Sequence, residues 1–470
     1  MSRVLALVAV VGTLAACGDD AKTAPDGPVA SGLLDQLNAL PGVRAEQMPT
    51  EAAGFTYIVL HIRQPVDHAN PTGPSFEQEV SLLHADPGAP MIVHTSGYWD
   101  YYRDSPVELT RMLSANQISI EHRYFAESRP DPADWSKLTI EQMATDEHAI
   151  IAALKTIYTG KFITTGGSKG GMTAIYHRRF FPDDVDGTVP YVAPISFAAP
   201  DNRYAAFFDT VGTPVCRQAV RDLALEMLKN RRAALEAKAT TQAQSDSHSY
   251  TRIALRPAVE SSIISLEWAF WQYYGAPFCN SVPAVTDTSD KLWQFLDQVS
   301  PVTDNDDDQI ALFDAYYYQA YFQLGYPGAT TPYLDAYTMF TDADYAMTLP
   351  TAEPPYDGGA AMHDVDDWVK TQGDRLLFIY GQWDPWIAGK FDLGQATDSL
   401  MLTRAQGTHG SSISRLSTAD RDAAFAKLAA WTGVTPQVLT NQAAREVAAI
   451  EPRQPRVPPA IVRALSSRHE

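Results

Sequence analysis

The sequence predicts an α/β fold: a mostly parallel central sheet with helices on both faces, interrupted by a large, mainly helical insertion. Three observations carry this. After an opening pair of extended runs, strand-like and helix-like segments alternate up to about residue 200, the pattern of βαβ units. From Asp201 to about Gly359 that alternation stops and long helical stretches take over. Strand-like runs then return at 375–380 (RLLFIY) and 400–404 (LMLTR).

The 470 residues are 45% hydrophobic and 20% charged, an ordinary globular composition. The length is large for one compact domain and favours an inserted domain or a second one. A formal net charge of -20 argues against nucleic acid as a partner, because binding it takes a basic stripe that displaces counterions. The charge reads instead as a solvated acidic surface.

The N-terminus reads as an address. Arg3 supplies a positive start, residues 4–11 are apolar, and Leu14-Ala15-Ala16-Cys17 follows. Small residues ending at a Cys resemble the lipobox of bacterial lipoproteins, where the Cys thiol is acylated and becomes the mature N-terminus. A plain cleaved signal is the alternative. Residues 1–16 are thus expected to be a lipoprotein signal peptide, Cys17 the lipidated residue, and 17–45 a tether opened by the polar stretch from Gly18 to about Ala30. The expected location is a bacterial membrane surface, periplasmic or cell-surface, or the exterior. No later apolar run reaches the ~20 residues of a membrane span. Of the three cysteines, Cys216 and Cys279 remain, an even pair that export would join as a disulfide; two buried thiols are the alternative.

The elements follow in order. Runs 55–62 (FTYIVLHI) and 76–84 (FEQEVSLLH) flank a Pro-, Asn- and Gly-containing turn and read as an antiparallel pair. Residues 91–95 (MIVHT) form a short buried strand ending at Ser96-Gly97. A helix is expected within 104–115 and a strand at 117–121. Residues 139–158 form an amphipathic helix with Ile140, Met143, Ala144, Ile151, Leu154 and Ile157 on one side. A strand at 162–165, a helix at 169–181 stopped by Pro182, and a strand within 187–195 complete the first part, 46–200. Region 201–360 is the insertion, with helices at 216–239, 258–274 and 308–322. The second part, 361–435, ends in a helix at 418–432, and 436–470 is a loosely ordered tail, rich in Pro and Arg from Glu451.

Gly166-Gly167-Ser168-Lys169-Gly170 fits G-x-S-x-G. The string alone is weak, but a strand precedes it and a helix follows, as a nucleophile elbow requires. Close approach in so tight a turn calls for glycine at the flanking positions. A serine hydroxyl requires a base, and the base an orienting acid. In an α/β-hydrolase the chain order is Ser, acid, His. His409 stands in a glycine-flanked loop just past LMLTR, and Asp384 in the turn after RLLFIY. The oxyanion hole then takes the backbone N–H of Lys169 and a second N–H from Gly97 or Tyr98. The interval from Ser168 to Asp384 far exceeds the roughly 60–70 residues a bare fold needs there, so the helical block is expected to cap the site.

Three strings now stand together: Gln64-Pro65-Val66-Asp67-His68, the stretch 121–130 (EHRYFAESRP), and Gly166 to Met172 (GGSKGGM). They resemble the secreted bacterial prolyl tri/tetrapeptidyl aminopeptidases, distant relatives of the lysosomal Pro-X carboxypeptidase group. The likeness covers about Phe55 to Gly410. It implies a serine exopeptidase that cleaves after proline and releases tri- or tetrapeptides, with Ser168, Asp384 and His409 as triad and peptides with proline near the N-terminus as substrates. Cys216 and Cys279 fall where cap cysteines of the family do. Ala126 stands where the family string continues with Gly, and the lipobox is unexpected in a simply secreted family. Glu121 has two readings: a carboxylate for the substrate's α-amino group, or half of an ion pair with Arg123.

Two rivals remain, an esterase or lipase on the same scaffold and a lipid-anchored binding protein that lost activity. No cofactor or metal is expected. Asp304 to Asp308 lacks the glycine and glutamate of a calcium loop, and 363–367 (HDVDD) lacks further ligands.

Overall fold

The computed structural model describes residues 28–439, apart from 101, 329–330, 346–348, 350 and 353. The signal-like segment, Cys17 and the tail from 440 onward lie outside the described residues.

Nine strands form one sheet in the order β1-β2-β3-β5-β4-β6-β7-β8-β9. Three strands open the chain: β1 (Val43–Met48), β2 (Thr56–Pro65) and β3 (Ser75–His84). They run antiparallel, and β3 pairs antiparallel with β5 (Asn116–Ile120). From there every pairing is parallel, through β4 (Met91–Thr95), β6 (Phe162–Gly167), β7 (Gly187–Tyr191), β8 (Leu377–Gly381) and β9 (Leu400–Arg404). Successive strand residues point to opposite faces. Ile92 accordingly joins a core with Leu113, Val189 and Leu428, while Val93 joins another with Leu60, Ile150 and Leu154.

Part of the stretch expected as a tether, 17–45, is folded. Helix α1 (Pro28–Asn38) buries Leu33 and Leu37 against the sheet, and Asn38 exchanges hydrogen bonds with the backbone of Ala45 in β1. Strand β1 escapes the sequence because it is an edge: VRAEQM buries only Ala45, so no apolar alternation marks it. The helix expected within 104–115 is only α2 (Glu108–Leu113). Helix α3 (Ile140–Leu154) starts at Thr139, whose hydroxyl accepts from Gln142 N, and α4 (Lys169–Phe180) follows β6 directly.

Between β7 and β8 the chain leaves the sheet. Helices α5 (Pro214–Glu226), α6 (Arg232–Asp246), α7 (Leu255–Ile264), α8 (Leu266–Ala269), α9 (Ser289–Val299), α10 (Asp307–Leu312), α11 (Asp314–Gln319) and α12 (Asp342–Tyr345) form a block. Its own core includes Phe208, Leu223, Ile263, Trp271 and Leu296. Each long helix read from sequence contains a π-helical turn: Met227–Arg231 separates α5 from α6, while Phe270–Tyr274 and Ala320–Leu324 close the other two. Such turns are frequent at functional sites. Cys216 and Cys279 are joined by a disulfide that ties α5 to the turn Ala276–Ser281. The acidic run at 304–308 is spent on structure: Asp306 caps α10 and Asp307 accepts from the backbone of Thr251 and Arg252. Helix α13 (Ala360–Gln372) returns the chain to the sheet, and α14 (Thr418–Thr432) packs Leu428 and Trp431 on it.

Two of the recognition strings meet in one buried cluster. The Arg123 guanidinium spends all five N–H groups: on both carboxylate oxygens of Asp146 and on the carbonyls of Pro65, Val66 and Lys137. His68 Nε2 lies 2.7 Å from Asp146 Oδ1, an oxygen that also accepts from Arg123. This cluster pins the loop after β2 and the loop after β5 onto α3.

Candidate active site

Ser168 is the hinge between β6 and α4, with φ 54 and ψ −122. That conformation is strained for a residue with a side chain and marks a built turn. Its backbone is held on both sides: Ser168 N donates to Tyr191 O at 2.9 Å, and Met172 N donates to Ser168 O at 3.0 Å. A Cβ on Gly166 would strike Gly170 and the carbonyl of Thr95, and one on Gly170 would strike that same carbonyl. The two glycines of the motif are therefore required by contact, whereas a Cβ on Gly167 would meet nothing.

Asp384 follows β8 and is fully buried, at 0% exposure. One oxygen accepts from Trp386 N at 3.2 Å, which caps a short turn; the other lies 2.7 Å from His409 Nδ1. With the proton on Nδ1, the carboxylate fixes the tautomer and leaves Nε2 as an acceptor. Among the described residues no hydrogen bond joins Ser168 Oγ to His409. The two share a wall: Trp386 lines the cavity at Ser168, and its ring lies 6.4 Å from the His409 ring.

The loop after β4 presses on the elbow. Gly97, at φ 74, would place a Cβ 2.6 Å from Gly170 N and 2.7 Å from Lys169 C. Tyr98 is corrected as an oxyanion donor, because its N–H already donates to Ser96 Oγ at 3.1 Å. The N–H of Gly97 makes no hydrogen bond among the described residues, and that of Lys169 belongs to the unpaired first turn of a helix. The Tyr98 side chain instead lines the cavity.

The Lys169 side chain is buried at 2% exposure. Its ammonium donates to Gly97 O at 2.5 Å and lies 5.3 Å from the ring centroids of both Tyr98 and Phe125. Burial pushes its pKa down to about 7, against the opposing pull of Glu147.

Both readings of Glu121 are corrected. One oxygen accepts from Glu127 N, Ser128 N and Ser128 Oγ, and the other from Asp100 N, so the carboxyl serves its own loops. It is buried, it is not among the cavity-lining residues, and Arg123 is taken by Asp146. Burial pushes its pKa up to about 8.

The cavity beside Ser168 is walled by Tyr98, Met172, Pro194, Tyr316, Leu324 and Trp386. Pro194 follows β7 at the carboxyl edge of the parallel strands, where such folds place sites, and Trp386 follows Asp384 by two residues. Those positions are open to inference from sequence. Tyr316 and Leu324 come from the helical block, and nothing in their spacing distinguishes them from packing residues.

A Ser-turn-helix with a buried Asp–His pair is built for acyl transfer, and comparison with known proteins gives the chemistry a family. The model of PS-10 peptidase S37 matches residues 26–457. The chain belongs to the peptidase S37 family. It is a serine peptidase with the α/β-hydrolase fold. The prolyl tri/tetrapeptidyl aminopeptidase of Streptomyces mobaraensis is similar, 37% identical over 97% of each chain. Human lysosomal Pro-X carboxypeptidase is a more distant relative, 32% identical over 35% of this chain and 37% of that protein. Among solved structures, an acetyl xylan esterase from Thermoanaerobacterium matches over 85% of this chain and 92% of that one, with 10% identity and a TM-score of 0.36. That overlap is loose, so the fold rests on the sheet order itself.

Proposed function

We propose that this S37 peptidase removes tri- or tetrapeptides from N-termini by cleaving after proline, through an acyl-enzyme on Ser168. The observation that carries the proposal is the likeness to the Streptomyces enzyme across nearly the whole of both chains. The apolar cavity beside Ser168 supports it, since a pyrrolidine ring needs an apolar wall with aromatic faces.

In this mechanism His409 Nε2 takes the Ser168 proton as Oγ attacks the proline carbonyl. Asp384 holds the imidazole and stabilises the imidazolium. The backbone N–H groups of Lys169 and Gly97 receive the oxyanion. Protonated His409 then gives its proton to the leaving amine, and water releases the peptide acid by the reverse roles.

Mass-spectrometric product analysis on peptides with proline at position two, three or four tests this. Release of the fragment ending in proline at three or four supports the reading. Turnover of short-chain esters with no peptide cleaved would overturn it in favour of an esterase. Absence of any labelling by a fluorophosphonate probe would favour a binding protein.

We further propose that Cys17 is acylated and tethers the enzyme to a bacterial membrane surface, supported by Leu14-Ala15-Ala16-Cys17 behind an apolar run. Growth with an alkyne fatty acid should label the wild-type chain and leave Cys17→Ala unlabelled; equal labelling removes the anchor.

A further inference from the structure

The helical block does more than cover the cavity. We propose that its π-helical turn Phe270–Tyr274 is a positioning element for His409, so that the base is held in place only while the block is docked. This rests on His409 being the base.

The loop that carries His409 is gripped from two sides. From the sheet side, Asp384 holds Nδ1, and Trp383 N donates to Gly407 O at 2.7 Å. From the block side, His409 N donates to Gln272 O at 2.8 Å. That carbonyl is available because the helix ends at Tyr274, which leaves the carbonyls of its last turn without partners in the helix. Gln272 is itself fixed, since Trp268 Nε1 donates to its side-chain oxygen at 2.8 Å.

Two further contacts reach the loop, and a third reaches Trp383 beside it. Tyr273 stands edge-on to the His409 ring, with centroids 6.3 Å apart. Trp271 of the same turn meets Trp383 at 5.6 Å and 90°. Gly275, at φ 61 and ψ −146, comes so near that a Cβ would sit 2.9 Å from Thr408 Cγ2. The disulfide then fastens the following turn, which contains Cys279, to α5. The same block supplies Tyr316 and Leu324 to the cavity. Cavity-wall residues and the grip on His409 thus both come from the insertion between β7 and β8, Leu324 packing with Tyr176 and Val365 and the Phe270–Tyr274 turn with Phe208 and Leu296.

Gly275→Ala tests this, with a small fluorophosphonate that reacts at Ser168 without needing peptide subsites. The expected result is a fall in both kcat and the labelling rate of about tenfold to a hundredfold, the scale of an ångström's misplacement, with KM little changed. Adding Thr408→Ser removes the methyl that the new Cβ meets and should restore part of both rates. A rise in KM alone, with labelling at the wild-type rate, would overturn the proposal and leave the block a filter. If Gly275→Ala does not fold, the Cys216→Ser/Cys279→Ser pair is measured instead and read by the same two rates. His409→Ala separates the premise: labelling of that variant at the wild-type rate would remove His409 as the base, whatever Gly275→Ala does.

Discussion

Lys169 donates its ammonium to the carbonyl of Gly97 at 2.5 Å, so the residue after the proposed nucleophile is bolted to the loop that faces it. The backbone N–H groups of these two residues are the proposed oxyanion donors, and the side-chain bond sets their separation. A charge-assisted bond of this kind is roughly twice as strong as a neutral one. Burial pushes the Lys169 pKa down to about 7, so the charged form is present below that pH and fades above it.

Lys169→Met keeps the backbone donor and loses the bolt. We expect kcat to fall by about tenfold to a hundredfold, with KM for a tripeptidyl amide little changed. The wild-type kcat should also decline as pH rises through about 7, and the variant should lack that limb. Steady-state rates from pH 6 to 9 check both. Identical profiles in the two proteins would show that the ammonium does not set the loop.

Gly97→Ala addresses the same contact from the other side. The added Cβ meets backbone, Gly170 N at 2.6 Å and Lys169 C at 2.7 Å, which cannot swing aside as a side chain can. Displacing the donor should cost roughly a hundredfold or more in kcat. A folded variant with wild-type kcat would exclude this loop from the oxyanion hole.

The proposed triad gives graded losses. Ser168→Ala or His409→Ala should lower kcat by about 10⁶, and Asp384→Asn by about 10⁴, since the Asn leaves the geometry and supports the wrong tautomer. Ser168→Ala should also abolish fluorophosphonate labelling. Persistent labelling would move the nucleophile elsewhere.

Why the Ser168, Asp384 and His409 positions are legible in the sequence is a matter of topology. Each comes after a parallel strand, β6, β8 and β9, at its carboxyl end, and those strands announce themselves by short apolar runs. Glu121 misleads because its strand ends at the same edge. What decides its role is which backbone N–H groups reach it, and those of Glu127 and Ser128 come from a loop whose path no periodicity reveals. Tyr316 and Leu324 are hidden for a related reason. Tyr316 lies in α11 and Leu324 closes the π-turn Ala320–Leu324, and which of their neighbours faces the cavity depends on how this segment docks rather than on its apolar spacing.

Arg123 and Asp146 explain two recognition strings without any catalytic role. Both side chains have 0% exposure, and the pair is joined at 2.6 Å. Asp146→Ala would strand a buried guanidinium, so a loss of about 3–5 kcal/mol is expected in denaturant unfolding. A loss below about 1 kcal/mol would mean that water replaces the carboxylate.

The carboxyls behind the loop after β4 should make stability depend on pH. Burial raises Glu121 to about 8 and Asp100 to about 6, and it lifts Glu79 well above its ordinary value. Each therefore holds a proton in the folded state that the unfolded chain releases near pH 4. Stability from these groups is complete below that pH and is lost as pH rises toward 8. Lys169 works in the opposite sense: its pKa is lowered on folding, so its contribution grows only above about 7. Calorimetric melting of the wild type and Glu121→Gln between pH 5 and 9 isolates one carboxyl. The amide imitates the protonated acid, so the wild-type advantage in Tm should be largest at pH 5 and shrink through pH 8. A constant difference across that range would mean that Glu121 keeps its charge when buried, held by the N–H groups of Asp100, Glu127 and Ser128.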